Sequence, residues 1–199
     1  MRSGSYRFSG SSALEVPSPQ SSVPRIETAR LLLREWHDAD GKAYARICSD
    51  PVVMRHMLPA RALAFEEAAA DVARLREHWD RQGFGHWVVE EKETGRVVGR
   101  TGFKRHPDWT LDPENTECGW LYEREVWGRG YATEAALAVV RFGLETLGRP
   151  ELISIAHPDN AGSRRVMEKA GLTYAGRRRW EERGLDVVWY SVRSEGQRS

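Results

Sequence analysis

Hydrophobic positions recur along this chain with two periods. Phe65, Ala68, Ala69, Val72, Leu75 and Trp79 fall on one stripe at helical spacing, which predicts an amphipathic helix over 65–82. Ala39, Ala43 and Ile47 predict a shorter helix over 38–49, opened by an Asp38 cap. The runs at 29–36, 85–91, 96–103, 116–122, 152–156, 173–180 and 186–192 are short and rich in apolar residues, as strands are. The Gly95-containing turn between the second and third of these predicts a hairpin. Residues 132–147 predict a long helix ended by Gly148, and 159–170 another ended by Gly171. The order β-α-α-β-β-β-α-β-α-β-β mixes a meander with a later crossover, so the fold class is α/β with a mixed sheet. Residues 1–24 are dominated by Ser, Gly and Pro and show no period, which predicts a disordered tail before a single domain over 25–199.

Composition narrows the function classes. Thirty basic residues against twenty-nine acidic ones leave a formal charge of +1, with no bulk electrostatic footprint for nucleic acid. Cys48 and Cys118 are far apart and outside any C-x-x-C, which argues against a disulfide framework and a cysteine zinc site. No H-E-x-x-H pattern suggests another metal site. No apolar run approaches the ~20 residues of a membrane span, and no signal-like apolar segment follows the N-terminal arginines. The expectation is a cytoplasmic protein with no membrane partner.

Chemistry concentrates in Trp120–Ala136. A strand ends near Tyr122, a polar loop follows, and Gly128-Arg129-Gly130 leads into a helix. Glycines let the main chain turn sharply and approach a ligand closely. The first N–H groups of a helix are unpaired, and its dipole adds positive potential, so this turn suits an anion, phosphate above all. Thr133 stands where the dinucleotide fingerprint needs its third glycine, and no G-K-[ST] marks a P-loop. On these residues alone, a tight strand-to-helix connection without ligand fits equally well.

The string Glu125-Val126-Trp127-Gly128-Arg129-Gly130 resembles the [Q/R]-x-x-G-x-[G/A] pyrophosphate loop of the GCN5-related N-acetyltransferases (the GNAT superfamily), with Glu125 departing at the first position. The continuation through Tyr131-Ala132-Thr133-Glu134-Ala135 resembles the ribosomal-protein-alanine acetyltransferase subgroup. Thr28–Trp36 resembles that subgroup's first strand, Glu117-Cys118-Gly119-Trp120-Leu121 its fourth, and His157–Gly171 its N-x-x-S-x-x-V-x-E-K-x-G helix. The likeness runs from about Thr28 to Val192. It implies a mostly antiparallel sheet splayed between strands 4 and 5 and flanked by about four helices.

It also implies an acetyl-CoA-dependent N-acetyltransferase with direct transfer to a primary amine and no metal. Main-chain N–H groups of Val126, Trp127, Gly128, Arg129, Gly130, Tyr131 and Ala132 would cradle the pyrophosphate, with Arg129 adding charge or lying solvated. Leu121, Tyr122 and Glu123 would pair with the pantetheine arm, and the Leu121 N–H would face the developing oxyanion. Asn160 would hold a pantetheine amide, or merely cap its helix. Ser163 would protonate the leaving thiolate, or face solvent. Arg164 and Arg165 are candidates for the 3′-phosphate. Glu117 is the candidate general base, with His157 and water as alternatives.

The resemblance points to a protein N-terminal α-amine as acceptor. A small-molecule amine (antibiotic, polyamine or amino acid) is the alternative, and a non-catalytic acyl-CoA-binding module another. Trp36, His56, Trp87, Phe103, Tyr174, Trp180 and Trp189 are candidates for the wall of an acceptor cleft, while Trp120 and Trp127 are expected to pack around the loop. A homodimer is common among such proteins, though nothing in this sequence demonstrates one.

Overall fold

The computed structural model describes residues 23–112 and 114–194. Eight strands form one sheet in the order β1-β2-β3-β4-β5-β6-β8-β7. They are β1 (Ile26–Glu27), β2 (Leu31–Arg34), β3 (His86–Glu91), β4 (Arg96–Lys104), β5 (Glu117–Tyr122), β6 (Glu151–Ala156), β7 (Thr173–Trp180) and β8 (Leu185–Arg193). Every neighbouring pair is antiparallel except β5 and β6, which run parallel and register only at Glu117 and Ile153. Beyond that point the two strands part. This is the splay expected between strands 4 and 5; the short β1, which the sequence pattern does not predict, shifts the count by one.

Helices cover both faces. On one side α1 (Asp40–Cys48), α2 (Pro51–Met54) and α3 (Phe65–Gln82) bury Tyr44, Ile47, Val53, Ala68 and Val72 against Val88, Val97 and Leu121 of the sheet. On the other, α4 (Tyr131–Arg141) lays Tyr131, Ala135, Ala136, Val139 and Val140 on Trp87, Val89, Phe103 and Cys118, while α5 (Ala161–Lys169) adds Met167. These spacings of three, four and five residues are one face of a helix.

The pattern misplaces some boundaries. The strand expected over 29–36 keeps only Leu31–Arg34. α1 opens at Asp40 with Ala39 at the cap, because Asp40 rather than Asp38 accepts the His37 N–H, at 2.8 Å, while binding Arg34 at 2.8 and 2.9 Å. Phe65, placed on the buried stripe by spacing, is exposed. The long helix after the glycine turn widens to a π turn over Phe142–Thr146. Gly143 there sits so close to its neighbours that a Cβ would meet Leu152 Cδ1 and Phe103 Cζ at 2.8 Å. At the N-terminus the packed part begins by Val23, buried in the main core, and the Pro24 carbonyl accepts the Trp87 indole N–H at 2.6 Å. The disorder expected for 1–22 lies outside the described residues. Among the described residues, no helix is long and apolar enough to cross a membrane.

Candidate active site

A cleft of about 460 Å³ opens where β5 leaves β6. Its walls come from the end of β5 (Trp120, Leu121, Tyr122), the glycine loop and first turn of α4, one side of α5, and α2 with the segment after it. Gly128 and Gly130 have φ of +78° and +83°, left-handed values that other residues resist. Within the loop the N–H groups of Val126, Trp127 and Arg129 are taken by the carbonyls of Glu123, Arg124 and Val126. Those of Gly128, Gly130, Tyr131, Ala132 and Thr133 have no acceptor among the described residues, and all five residues line the cleft. Of the seven N–H groups expected to cradle a pyrophosphate, those of Gly128, Gly130, Tyr131 and Ala132 are open and Thr133 joins them, whereas Val126, Trp127 and Arg129 are corrected because their N–H groups are spent inside the loop; open N–H groups at a helix start suit an anion.

Charge agrees with geometry. Arg55, Arg165 and Lys169 line the cleft, and among the described residues no Asp or Glu does. Arg129 is not part of the lining; its guanidinium lies 3.4 Å from Glu91 and 4.9 Å from the centre of the Tyr131 ring. Arg164 turns away toward the Tyr190 hydroxyl, at 3.2 Å. Asn160 caps α5, its side chain accepting the Ser163 N–H at 3.1 Å, and both residues also line the cleft.

The direction of the β5 main chain follows from two hydrogen bonds. The Glu123 N–H bonds the Val98 carbonyl of β4 at 3.0 Å, and the Thr116 carbonyl accepts from Ile153 of β6 at 3.0 Å. In an antiparallel pair these groups alternate sides along the strand. Leu121 and Glu123 therefore direct their N–H groups into the β4 ladder, whereas Trp120 and Tyr122 direct theirs into the splay. The oxyanion-donor expectation for the Leu121 N–H is corrected accordingly. Glu123 is buried and holds Arg46 and Arg96. The Tyr122 carbonyl already accepts the Trp127 indole N–H at 2.9 Å.

Glu117 lies at the one register point of β5 and β6. His106 Nε2 is 2.6 Å from its carboxylate, and Arg183 Nη2 is 3.0 Å from His106 Nδ1. Arg183 in turn makes a fork onto both oxygens of Asp108, at 2.7 and 2.8 Å. A guanidinium only donates, so Nδ1 accepts and the Nε2–H points at Glu117. Burial alone would raise the Glu117 pKa; His106, by electrostatic attraction and by its hydrogen bond, together with Lys104, holds it below its ordinary value. Beside it across Gly119 stands His86, buried, its pKa pushed well down by desolvation and by the cations Arg100 and Lys104.

His157 is not in this group. Its ring stacks on His56 at 5.4 Å, and its Nδ1 accepts the Asp159 N–H at 3.2 Å. The aromatic acceptor wall is also corrected: Trp36, Trp87, Phe103 and Trp180 are buried in the cores, Trp189 packs edge-on to Trp109, and Tyr174 is exposed. Of those candidates only His56 lines the cleft, which Trp120 and Trp127 line as well. A second cavity of about 430 Å³ lies between α1, α3 and the sheet, and Leu121 and Met57 wall both spaces.

The family model described as Acetyltransferase (GNAT) domain matches residues 30–173. The chain belongs to the GNAT acetyltransferase family. Among its curated relatives is an uncharacterized N-acetyltransferase, YoaA of Bacillus subtilis, 26% identical over 157 residues, covering 77% of this chain and 85% of the relative. A crystal structure of an acetyltransferase from Agrobacterium tumefaciens superposes with TM-score 0.71 at 31% identity, covering 89% of this chain and 98% of that one. RimL, a ribosomal alpha-N-protein acetyltransferase in complex with coenzyme A, shares the fold with TM-score 0.71 at 15% identity, over 87% of this chain and all (100%) of its own. The chain is thus an N-acetyltransferase of this family, whose acyl donor is acetyl-coenzyme A.

Five of the residues just described escape sequence reading. His106 and Asp108 sit in a Pro/Asp-rich loop, and Arg183 lies 77 residues beyond His106. Their pairing exists only once β5 and the β7–β8 hairpin are neighbours of that loop. His86 hides in an apolar strand. Lys169 falls within the recognised helix signature, where its place on the cleft wall has no distinguishing mark.

Proposed function

We propose that this protein moves the acetyl group of acetyl-coenzyme A directly to an α-amine that enters from the second cavity. The observation that carries the reading is the junction at Leu121, where a cationic cleft with five free loop N–H groups meets a separate cavity against the same residue. Acetyl-coenzyme A supplies a thioester, whose carbonyl carbon is the electrophile.

The chain's own groups have these roles. The N–H groups of Gly128, Gly130, Tyr131, Ala132 and Thr133 hold the pyrophosphate, and Arg165, Lys169 and Arg55 offset the remaining phosphate charge. The N–H groups of Trp120 and Tyr122, aimed into the splay, orient the donor's amide arm and take the negative charge that develops on the carbonyl oxygen. Asn160 holds α5 in place and offers its amide N–H₂ to the arm, while Ser163 gives the leaving sulfur a proton. Glu117, kept ionised by His106, accepts the amine's proton through water.

The low Glu117 pKa favours an α-amine over a lysine side chain. Deprotonating a group of pKa ~8 is easier than one of ~10.4 by about 3 kcal/mol, which a weakened base does not readily supply. A protein N-terminus, the acceptor class named for RimL, and a small α-amine both satisfy this condition. The test uses two lysine derivatives and mass spectrometry. Lysine blocked at its side chain is expected to be acetylated at least tenfold faster than lysine blocked at its α-amine. The reverse preference would overturn the reading.

A further inference from the structure

The floor of the second cavity carries a charge that nothing among the described residues neutralises directly. Arg100 of β4 lies in register opposite Leu121, the residue shared by both cavities, and its side chain lines the second one. Its Nε donates to the Tyr44 hydroxyl at 3.0 Å, and that hydroxyl donates to Asp71 at 2.8 Å. The Arg100 Nη1 and Nη2 groups have no hydrogen-bond acceptor among the described residues. Arg100 is only partly exposed, and no carboxylate among the described residues is in direct contact with it.

The carboxylates of the cavity wall do not fill this need. Asp71 is occupied by Tyr44 and by Arg74, at 3.1 Å. Glu67 is held by Arg61 and accepts the Ala64 N–H at 2.9 Å. Glu66 is on the exposed side of α3. A guanidinium held by one nitrogen presents its other edge as a planar pair of donors, the geometry that a carboxylate accepts with two parallel hydrogen bonds. Charge-assisted pairing of that kind in a partly enclosed site also fixes orientation.

We infer that the acceptor is a small amine with a carboxylate a few bonds from the reacting nitrogen, an α-amino acid or a close analogue, whose carboxylate docks on the free edge of Arg100. This rests on the α-amine reading above and narrows it. With its carboxylate on Arg100, such a molecule places its amine toward Leu121 and the mouth of the donor cleft. Tyr44 acts as a positioning residue, because its hydroxyl fixes the rotamer of the guanidinium while leaving the far edge clear. A peptide N-terminus, whose first carbonyl is an amide, offers Arg100 no charge at that distance.

The experiment compares a panel of α-amino acids with the matching α-carboxamides and with short peptides of the same first residue, using acetyl-coenzyme A and a thiol-release readout. The expected result is a kcat/KM for the best amino acid at least tenfold above its amide and peptide. Arg100→Met should bring that ratio to within about threefold of one while the KM for acetyl-coenzyme A stays within twofold. If Arg100→Met does not fold, Arg100→Lys decides: it keeps a charge but loses the fork, and the ratio is expected to fall at least threefold. Amides or peptides that are used as well as the acids, or an unchanged ratio in the folded variant, would overturn the proposal but leave the α-amine reading standing. Acetylation of side-chain amines alone, or of no amine in the panel although coenzyme A raises the melting temperature, would overturn both.

Discussion

Glu134, in the first turn of α4, accepts the Arg30 Nε–H at 2.7 Å and the Arg30 main-chain N–H at 2.8 Å, across 104 residues of sequence. The Thr28 hydroxyl adds a third bond at 2.6 Å, and Arg30 Nη1 donates to the carbonyl of Arg129 at 2.9 Å. The N-terminal segment is therefore a clamp on the glycine loop. It fixes a loop that has to hold its N–H groups unpaired, which local hydrogen bonding alone does not do.

Glu134→Gln should weaken at once all the bonds that Thr28 and Arg30 make to this charged acceptor. The expected loss is about 1–3 kcal/mol of stability, together with a severalfold rise in KM for acetyl-coenzyme A. Chemical denaturation and steady-state kinetics check the two parts. The pH dependence has a definite sign. Burial would raise the Glu134 pKa, but the bonds from Thr28 and Arg30 bring it below the ordinary value. Its contribution is present in full above the unfolded value of ~4.3 and is lost as pH falls through the lower folded value. Below that point the wild type and Glu134→Gln should differ little in stability, and a gap that persists in acid would count against the clamp.

Gly128 and Gly130 hold φ of +78° and +83°. Alanine at either position adds left-handed strain of roughly 1–2 kcal/mol. At Gly130 a new Cβ would also come within 3.4 Å of the Arg30 guanidinium. Any relaxation of the loop turns N–H groups away from the cleft. Gly130→Ala is therefore expected to raise KM for acetyl-coenzyme A by tenfold or more with a smaller effect on KM for the amine. An effect confined to the amine would show that the loop does not hold the donor.

Arg165 and Lys169 are one helical turn apart on α5 and face the cleft, where no acid opposes them. Exposed charges act through a screened potential, so their effect depends on salt. The double variant Arg165→Ser, Lys169→Ser should weaken coenzyme A binding by about 10-fold at low ionic strength and by much less at 0.5 M salt. Isothermal titration at the two salt concentrations checks this. An equal loss at both would point to packing rather than charge.

Much of this site is legible in the sequence because it is made of contiguous segments. The glycine turn needs no distant partner to announce itself: Gly128 and Gly130 mark left-handed positions, and the apolar stripe of α4 follows at once. The Asn160–Ser163 cap is equally local. What stays hidden is set by the topology. Arg30 and Glu134, or His106 and Arg183, are each unremarkable charged residues until the sheet order puts their elements side by side. Direction of the main chain is hidden as well. Leu121 and Trp120 are neighbours in sequence, yet only the bond from Glu123 to Val98 decides which of them faces the splay. The aromatic residues mislead for a related reason: strand periodicity identifies a buried face but not which of two cores it enters, and Trp87 and Phe103 fill the main core instead of walling a cleft.

The chain Asp108–Arg183–His106–Glu117 allows a test that separates the proton acceptor from its support. Glu117→Gln keeps the shape and removes the charge. It should lower kcat by about 10²–10⁴-fold, the usual contribution of a general base, and leave KM for acetyl-coenzyme A near its wild-type value. His106→Gln should act differently. Burial pushes the Glu117 pKa up, and His106 is the principal group that pushes it down. Without it the carboxylate should titrate at a higher pH, so the acid limb of the kcat/KM profile should move upward while the rate at pH 9 is largely kept. In the wild type no such limb should be seen above pH ~5, because Glu117 is already ionised there, and the rate should rise with pH up to the acceptor's own pKa of ~8. An acid limb that is the same in the wild type and His106→Gln would show that Glu117 does not carry the proton.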